Sequence, residues 1–182
     1  DDHILPMAET EAKMVSNQLG GTWLADATRH DLKEGSASVL HIASHGEYHQ
    51  QPELSFIDLS DGRLYSAELL QYDLQYELIT LSACETGQAR PSGGDELIGL
   101  GRTFMYAGAG ALITSMWRVD DDHAYAFMTK LYRYLKQGLS KSTALRTAYC
   151  ETINQYGDEH PALWGAFQLS GNPEPLSFTQ VQ

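Results

Sequence analysis

The amino-acid sequence predicts one α/β domain over residues 1–182, with a mainly parallel sheet and helices on both of its faces. Short apolar runs at residues 38–44, 78–81 and 111–117 have the composition of buried strands. Longer amphipathic stretches lie between and after these runs, and such alternation is typical of a layered α/β sheet. A chain of 182 residues is long enough to bury one core of ordinary size.

The N-terminal part predicts two helices and a strand. Residues 9–19 are good helix formers with apolar side chains on one face, and a glycine pair stops the helix. A shorter helix follows Thr28, whose side chain suits the N-cap, and ends at Gly35. The strand over residues 38–44 is followed by a break at glycine, so His45 is expected at the strand end.

The middle of the chain predicts a hairpin and then the most buried strand. Two short strands within residues 54–65 flank a Ser-Asp-Gly turn, and a short helix runs from Ser66 to Gln71. Residues 78–81 then form a strand that is buried on both faces. This strand stops at small residues followed by Cys84.

The C-terminal half predicts three more helices and two more strands. A helix from Asp95 leads into the strand over residues 111–117. Three acids at residues 120–122 open a long amphipathic helix, because carboxylates stabilise the positive end of the helix dipole. Ser140 caps a further helix, and residues 162–169 form the last strand.

The composition excludes several classes of partner. Asp and Glu number 24 against 12 Lys and Arg, which gives a formal net charge of −12, and the basic residues form no cluster. This balance argues against nucleic acid and anionic membranes as partners and leaves basic protein segments as suitable ones. Two cysteines, the lack of a secretory-signal pattern and the lack of an apolar run of about 18 residues favour a reduced, cytoplasmic setting. No nucleotide-binding or dinucleotide-binding motif occurs, so no cofactor is expected.

Cys84 is the candidate nucleophile, because it follows a buried strand at the position where open α/β sheets bind their ligands. A thiol with a pKa of about 8.5 is mostly protonated at neutral pH and needs a base, which His45 at the end of another strand supplies. Cys84 would then form an acyl-enzyme while His45 delivers a proton to the leaving amine. The backbone N–H groups of Gly46 and Cys84 suit an oxyanion hole.

Other interpretations of the same residue types are open. A cysteine beside a buried strand is more often an inert core residue than a nucleophile. His41, His45 and His49 are spaced by four residues and would form a metal-ligand face on a helix. The segment that contains His41 is predicted to be a strand, on which His41 and His45 also face one side. No metal is expected, because no acidic ligand partner stands at a recognised spacing. Cys150 is expected in the core, since it lies within an amphipathic helix.

Four segments occur in a fixed order along the chain. They are Ser-His-Gly at residues 44–46, Ser-Ala-Cys-Glu-Thr-Gly at residues 82–87, Gly-Asp-Glu-Leu-Ile-Gly-Leu at residues 94–100 and Ser-Met-Trp-Arg-Val-Asp-Asp at residues 115–121. Together they resemble a CHAT domain, a family in the caspase, separase and gingipain group of cysteine peptidases. The resemblance covers residues 5–172 and implies a caspase-like fold, a His45–Cys84 dyad, cysteine endopeptidase activity and an oxyanion hole at Gly46 and Cys84.

Five acidic residues are candidates for substrate binding, namely Asp95, Glu96, Asp120, Asp121 and Asp122. The first two lie in a segment that is a near match to the Gly-Glu of the family. Separases, which are similar in the region of the other three, use an acid there to hold a basic side chain before the cleaved bond. The resemblance therefore implies cleavage after Arg or Lys, although the helix dipole also explains three acids at a helix start.

Two functions agree with these residues. The first is an active cysteine endopeptidase that cleaves a protein or peptide substrate. The second is a protease-like module that acts as a regulated interaction domain and is inactive without an activator. Members of the resembled family usually have a strand, and often helical repeats, before the first helix. The chain is therefore expected to be the C-terminal part of a longer protein, with an upstream helical-repeat region or an activator as a partner.

Overall fold

The computed structural model describes residues 7–47, 49, 51–82, 96–117, 119–157, 161 and 165–177, without the side chains of residues 96–99. Within these residues the strands form a larger sheet of order β1-β5-β6-β7 and a smaller antiparallel sheet of order β2-β3-β4. In chain order they are β1 (Val39–Ile42), β2 (Gly46–Glu47), β3 (Phe56–Leu59), β4 (Gly62–Tyr65), β5 (Leu78–Leu81), β6 (Ala111–Ser115) and β7 (Phe167–Gly171). Strands β1, β5 and β6 are parallel, and β7 is antiparallel to β6.

Helices pack on both faces of the larger sheet. In chain order they are α1 (Ala8–Leu19), α2 (Arg29–Glu34), α3 (Ser66–Leu69), α4 (Glu96–Tyr106), α5 (Asp121–Lys136) and α6 (Lys141–Tyr156). Helices α1, α5 and α6 cover one face, and α2, α3 and α4 cover the other together with the smaller sheet. This layered arrangement confirms the predicted α/β fold and agrees with a caspase-like domain. None of the helices in the described ranges is both long and apolar enough to cross a membrane.

Local sequence signals set the helix ends, as predicted. Thr28 caps α2 by accepting a hydrogen bond from the backbone N–H of Asp31, and the Asp31 carboxylate accepts one from the backbone N–H of Thr28 at 2.9 Å. Ser140 caps α6 by accepting from the N–H of Thr143 at 3.2 Å. Helix α1 ends at Gly20, whose φ of 75° lies in the left-handed region that glycine adopts most easily.

Strand β5 lies at the centre of the packing, and all four of its residues are buried. Leu78 contacts the apolar cluster formed with α1, α5 and α6. Ile79 and Leu81 belong to the cluster formed with α2, α3, α4 and the smaller sheet. Side chains therefore alternate between the two faces with the period of a strand, and both faces are buried as the apolar run predicts.

Several predicted boundaries differ from the structure. Strand β1 ends at Ile42 rather than at residue 44, and β6 ends at Ser115 rather than at residue 117. Helix α3 ends at Leu69, two residues before the predicted end. Within the predicted strand over residues 162–169, β-structure begins only at Phe167 and continues to Gly171, while residues 162–164 lie outside the described residues. Pairing with β6 decides the ends of β7, because Phe167 faces Ser115 and Gly171 faces Ala111 in the antiparallel ladder.

The prediction that Cys150 lies in the core is wrong, since this residue is exposed. Helix α6 buries Ala148 and Thr152 on the side that faces α5 and the sheet. Cys150 is two positions from each of them, and two positions correspond to about 200° around an α-helix. Its side chain therefore points away from the packed face of α6.

Candidate active site

The parallel strands of the larger sheet end side by side. Ile42 pairs with Leu81 across β1 and β5, and Leu81 pairs with Thr114 across β5 and β6. The backbone N–H of Ser82, just beyond β5, still donates to the carbonyl of Ile42 at 3.0 Å. The carboxyl ends of these strands therefore form one edge, the position at which open α/β sheets bind their ligands.

His45 lies beyond this edge, between the two sheets. It follows the end of β1 by three residues and immediately precedes β2. Its backbone carbonyl accepts a hydrogen bond from the N–H of Asp58 at 2.7 Å, and the hydroxyl of Ser44 donates to the carbonyl of Asp58. These contacts with β3 fix the backbone on which the half-buried His45 side chain is carried.

The backbone of Gly46 is oriented by the smaller sheet. Gly46 is opposite Ile57 in the ladder between β2 and β3. In the adjacent pair, the N–H of Asp58 donates to the carbonyl of His45, so this pair is hydrogen-bonded. Hydrogen-bonded and non-hydrogen-bonded pairs alternate in an antiparallel ladder, so Gly46 and Ile57 form a non-hydrogen-bonded pair. The N–H of Gly46 therefore points toward the outer edge of β2, away from β3, although Gly46 itself is buried.

Three of the predicted site residues have no described side chain. Cys84 and Asp95 lie outside the described residues, and Glu96 is described only as the first residue of α4. The separation of the Cys84 sulfur and the His45 ring, which we expect to exceed the hydrogen-bond limit of about 3.2 Å without substrate, stays a prediction.

The acids Asp120, Asp121 and Asp122 stand after β6, beyond the same edge of the sheet. Asp120 is the N-cap of α5, and its side chain is 68% exposed. Its carboxylate accepts the backbone N–H of Asp122 and lies 3.2 Å from Nδ1 of His123. Asp121 and Asp122 form the first turn of α5, where the helix dipole favours carboxylates.

The family is decided by the match over the chain as a whole. A model of the CHAT domain family matches residues 3–172, a range that includes His45, Cys84 and the three acids before α5. The chain belongs to the CHAT domain family. This CHAT domain has the caspase-like layered fold that the four sequence segments imply.

The relatives of this CHAT domain are much longer proteins. The chain is similar to tetratricopeptide repeat protein 28 of Homo sapiens, with 26% identity over 216 residues, which covers 95% of this chain and 9% of the relative. It is also similar to tetratricopeptide repeat protein 28 of Mus musculus, with 30% identity over 114 residues, which covers 63% of this chain and 5% of the relative. The chain thus spans less than a tenth of the length of either relative.

A buried polar network crosses the face of the CHAT domain sheet under α1 and α5. Nε2 of His41 lies 2.8 Å from Oε1 of Glu11, and Nδ1 of His41 lies 3.0 Å from the Tyr132 hydroxyl. That hydroxyl donates to Oγ1 of Thr80 at 2.9 Å. The side chains of Glu11 and His41 are only 5% and 4% exposed, and Tyr132 and Thr80 are completely buried. This network connects α1, β1, α5 and β5.

The sequence does not predict this network. Neither Glu11 in the first helix nor Tyr132 in the long helix belongs to a local motif that marks it for burial. One signal was present, since His41 and Thr80 are polar residues in the middle of apolar strands and buried polar groups need partners. His41 therefore has hydrogen-bond partners other than a metal. Within the described ranges no group of three or more His, Cys, Asp or Glu side chains is placed to hold a metal ion.

A cavity of about 500 Å³ lies along the outer edge of β1, between α1, α2 and the segment over residues 21–28. Its lining is mainly apolar, with Trp23, Leu40 and Leu59 among the larger side chains. Residues 78–81 of β5 do not contribute to it. The cavity is therefore on the side of β1 that faces away from the strand leading to Cys84.

Proposed function

We propose that this CHAT domain is a cysteine endopeptidase that uses His45 and Cys84 as a catalytic dyad. One observation carries the proposal. Ile42 and Leu81 are register partners at the ends of two adjacent parallel strands, and His45 is the third residue after the first, as Cys84 is after the second. The segments that lead to His45 and Cys84 therefore begin at neighbouring strand ends and have the same length. A nucleophile and its base need such neighbouring positions.

The reaction then proceeds in two steps. The Cys84 thiolate attacks the carbonyl carbon of the scissile peptide bond, and His45 gives a proton to the nitrogen of the leaving amine as the C–N bond breaks. The resulting thioester links the acyl part of the substrate to Cys84. A water molecule attacks this thioester and His45 takes a proton of the water. The C–S bond then breaks, so that the carboxylic acid leaves and the Cys84 thiolate beside the protonated His45 is restored.

An oxyanion hole stabilises the negative charge that develops on the carbonyl oxygen in both steps. The Gly46 N–H points away from β3, as the ladder geometry requires, and it follows His45 directly in the chain. The backbone N–H of Cys84 is the second donor of the proposal. Loss of one such donor typically lowers kcat by about 100-fold to 1,000-fold.

The substrate class is a protein or peptide with Arg or Lys before the cleaved bond. Support comes from the acids Asp120, Asp121 and Asp122, which follow the strand next to β5 at the edge where His45 lies. A carboxylate in a partly dehydrated pocket gains most from a cationic partner. The net charge of −12 also favours basic segments over acidic ones. We place this reaction in the cytoplasm, where thiols stay reduced.

A peptide probe with an arginine next to a thiol-reactive ketone tests the proposal. The protein should carry Cys150→Ser, because Cys150 is exposed and would react as well. We expect mass spectrometry to find the label on Cys84, and we expect the label to be lost in His45→Ala. Labelling of Cys84 at an unchanged rate in His45→Ala would contradict a dyad.

A second function is favoured by the relatives. Both matched proteins are named for tetratricopeptide repeats, and the CHAT-like part is a small fraction of their length. We therefore also consider a protease-like interaction module that is controlled by an upstream helical-repeat region or an activator. If the probe labels Cys84 only after a repeat-containing segment is added, the domain is a regulated peptidase, and if it never does, the module is the better description.

A further inference from the structure

Two residues of the buried polar network are register partners on the strands that lead to the proposed dyad. His41 on β1 is directly opposite Thr80 on β5. His45 is the fourth residue after His41, and Cys84 is the fourth residue after Thr80. A slide or separation of the two strands at this pair therefore displaces the two strand ends from which the segments leading to His45 and Cys84 begin.

Tyr132 joins this pair from the third layer of the fold. Its single hydroxyl lies 2.9 Å from Thr80 Oγ1 and 3.0 Å from His41 Nδ1, so it touches both strands at once. Its ring meets the His41 ring edge-on, with centroids 5.4 Å apart and planes at 76°. The tyrosine is fully buried in α5, in the same apolar cluster as Phe127 and Leu131. Close packing leaves the hydroxyl little freedom to move away.

The directions of the hydrogen bonds at the Tyr132 hydroxyl follow from its single proton. With the Tyr132 proton directed at Thr80, Nδ1 of His41 is the donor to the Tyr132 oxygen. Nε2 of His41 and the Glu11 oxygen lie 2.8 Å apart, and a single proton between them forms their hydrogen bond. Burial raises the pKa of the Tyr132 phenol and the charge of Glu11 adds to this effect, while the hydrogen bond to Thr80 acts in the opposite direction. The phenol therefore stays protonated at neutral pH and keeps its donor.

We propose that Tyr132, His41 and Thr80 are positioning residues that hold β1 and β5 at the spacing which brings His45 and Cys84 together, with Glu11 fixing the His41 ring. This inference rests on the proposed function, since it assigns the network to the same dyad. The physical reason is the steep dependence of catalysis on placement, because a displacement of about 1 Å can lower a rate by roughly 100-fold.

A purely structural role makes a different prediction. If the four side chains only satisfy one another in the core, their loss lowers the stability of the protein but leaves the chemistry of Cys84 unchanged in the folded molecules. Positioning residues instead change how strongly His45 acts on the thiol. The pH dependence of the reaction between Cys84 and iodoacetamide separates the two roles, because only the thiolate is alkylated, with iodide as the leaving group.

The measurement compares five variants in the Cys150→Ser protein, with folding checked by urea denaturation. Tyr132→Phe removes the bridging hydroxyl, and Thr80→Val removes its acceptor without a change of shape. Thr80→Ser keeps the hydroxyl and serves as the conservative rescue. His45→Ala removes the proposed base. Tyr76→Phe is the matched control, because Tyr76 is also buried and donates to a backbone carbonyl, that of Leu32 at 2.9 Å, outside the network.

The midpoint is the pH at which Cys84 is alkylated at half its maximal rate. In the Cys150→Ser parent we expect this midpoint to lie below the ordinary thiol pKa of about 8.5, and we expect it to rise in His45→Ala. Tyr132→Phe and Thr80→Val should raise it by roughly one pH unit, while Thr80→Ser and Tyr76→Phe leave it in place. Folded Tyr132→Phe and Thr80→Val proteins with the midpoint of the parent would overturn the positioning role while the dyad stands. A parent midpoint that His45→Ala does not change would overturn the dyad itself, and the positioning role with it. Should Tyr132→Phe fail to fold, the comparison of Thr80→Val with Thr80→Ser gives the same decision.

Discussion

Asp120 and Asp122 are joined by a hydrogen bond at the start of helix α5, where the Asp120 carboxylate accepts the backbone N–H of Asp122 at 3.2 Å. The same carboxylate is 3.2 Å from the ring of His123. Asp120 thus has a capping role, whereas the exposed Asp122 forms no ion pair with another of the described residues. The three acids before and in the first turn of α5 are therefore not equivalent as candidates for substrate binding.

The first prediction concerns specificity. A peptide library should show a preference for Arg or Lys before the cleaved bond, and Asp121→Asn or Asp122→Asn should reduce this preference by about tenfold or more, since a hydrogen-bonded charge pair is lost. Asp120→Asn should keep the cap, because Asn is as good an N-cap as Asp. A preference for aspartate or for large apolar residues, or a basic preference that survives in all three Asn variants, rules these acids out.

The second prediction separates a catalytic from a structural role of Cys84. Cys84→Ala should abolish peptide cleavage and leave the free energy of unfolding within about 1 kcal/mol of the parent, because the residue follows a strand end. Urea denaturation together with a cleavage assay measures both quantities. A loss of several kcal/mol, the size seen for buried large-to-small changes, would identify Cys84 as a core residue instead.

The third prediction concerns the turn that sets β5 beside β6. Gly108 has a φ of 113°, and a Cβ atom there would lie 2.2 Å from the backbone carbonyl oxygen of Leu74. We expect Gly108→Ala to lower the free energy of unfolding by about 3 kcal/mol or more, because two backbone segments must separate. Gly138→Ala is the matched control, with a φ of 81° and no atom within 4 Å of the added Cβ, and should cost about 1–2 kcal/mol. Equal losses in the two variants would show that the close approach to Leu74 has no energetic effect.

The fourth prediction concerns the dependence of stability on pH. A hydrogen bond from the Tyr134 hydroxyl, 2.7 Å long, lowers the pKa of Glu151 below its ordinary value of 4.5, and the adjacent Arg133 lowers it further. The folded protein therefore binds this proton less readily than the unfolded chain, so the stabilisation is complete above pH 4.5 and is lost as the pH falls through the folded pKa. Glu151→Gln should lower the urea midpoint at neutral pH, and the deficit should shrink toward about pH 3.

Glu53→Gln provides the control for this pH series, because Glu53 is exposed in the short 3-10 turn Pro52–Leu54 and forms no ion pair in the described part of the chain. Its urea midpoint should follow that of the parent at every pH. A Glu151→Gln deficit that is constant from neutral pH to about pH 3 would mean that the carboxylate charge is not the source of the stabilisation.

The sequence by itself determined the elements that depend on neighbours in the chain. The N-caps Thr28 and Ser140 are local signals, since a side-chain oxygen reaches a backbone N–H three residues later. The strand at residues 78–81 was recognisable because burial on both faces leaves an uninterrupted apolar run. The ordered segments around His45 and Cys84 determined the family, because each is a short run of contiguous residues.

Only the tertiary structure decided which helix faces meet the sheet. Glu11 is buried because His41 lies opposite it, 30 residues away in the chain, and His41 in turn meets Tyr132 after another 91 residues. Cys150 is exposed because a different side of α6 packs on α5 and the sheet. Helical periodicity specifies that a helix has an apolar and a polar face. Partners that are distant in sequence determine which residues on those faces become buried and which polar groups are paired.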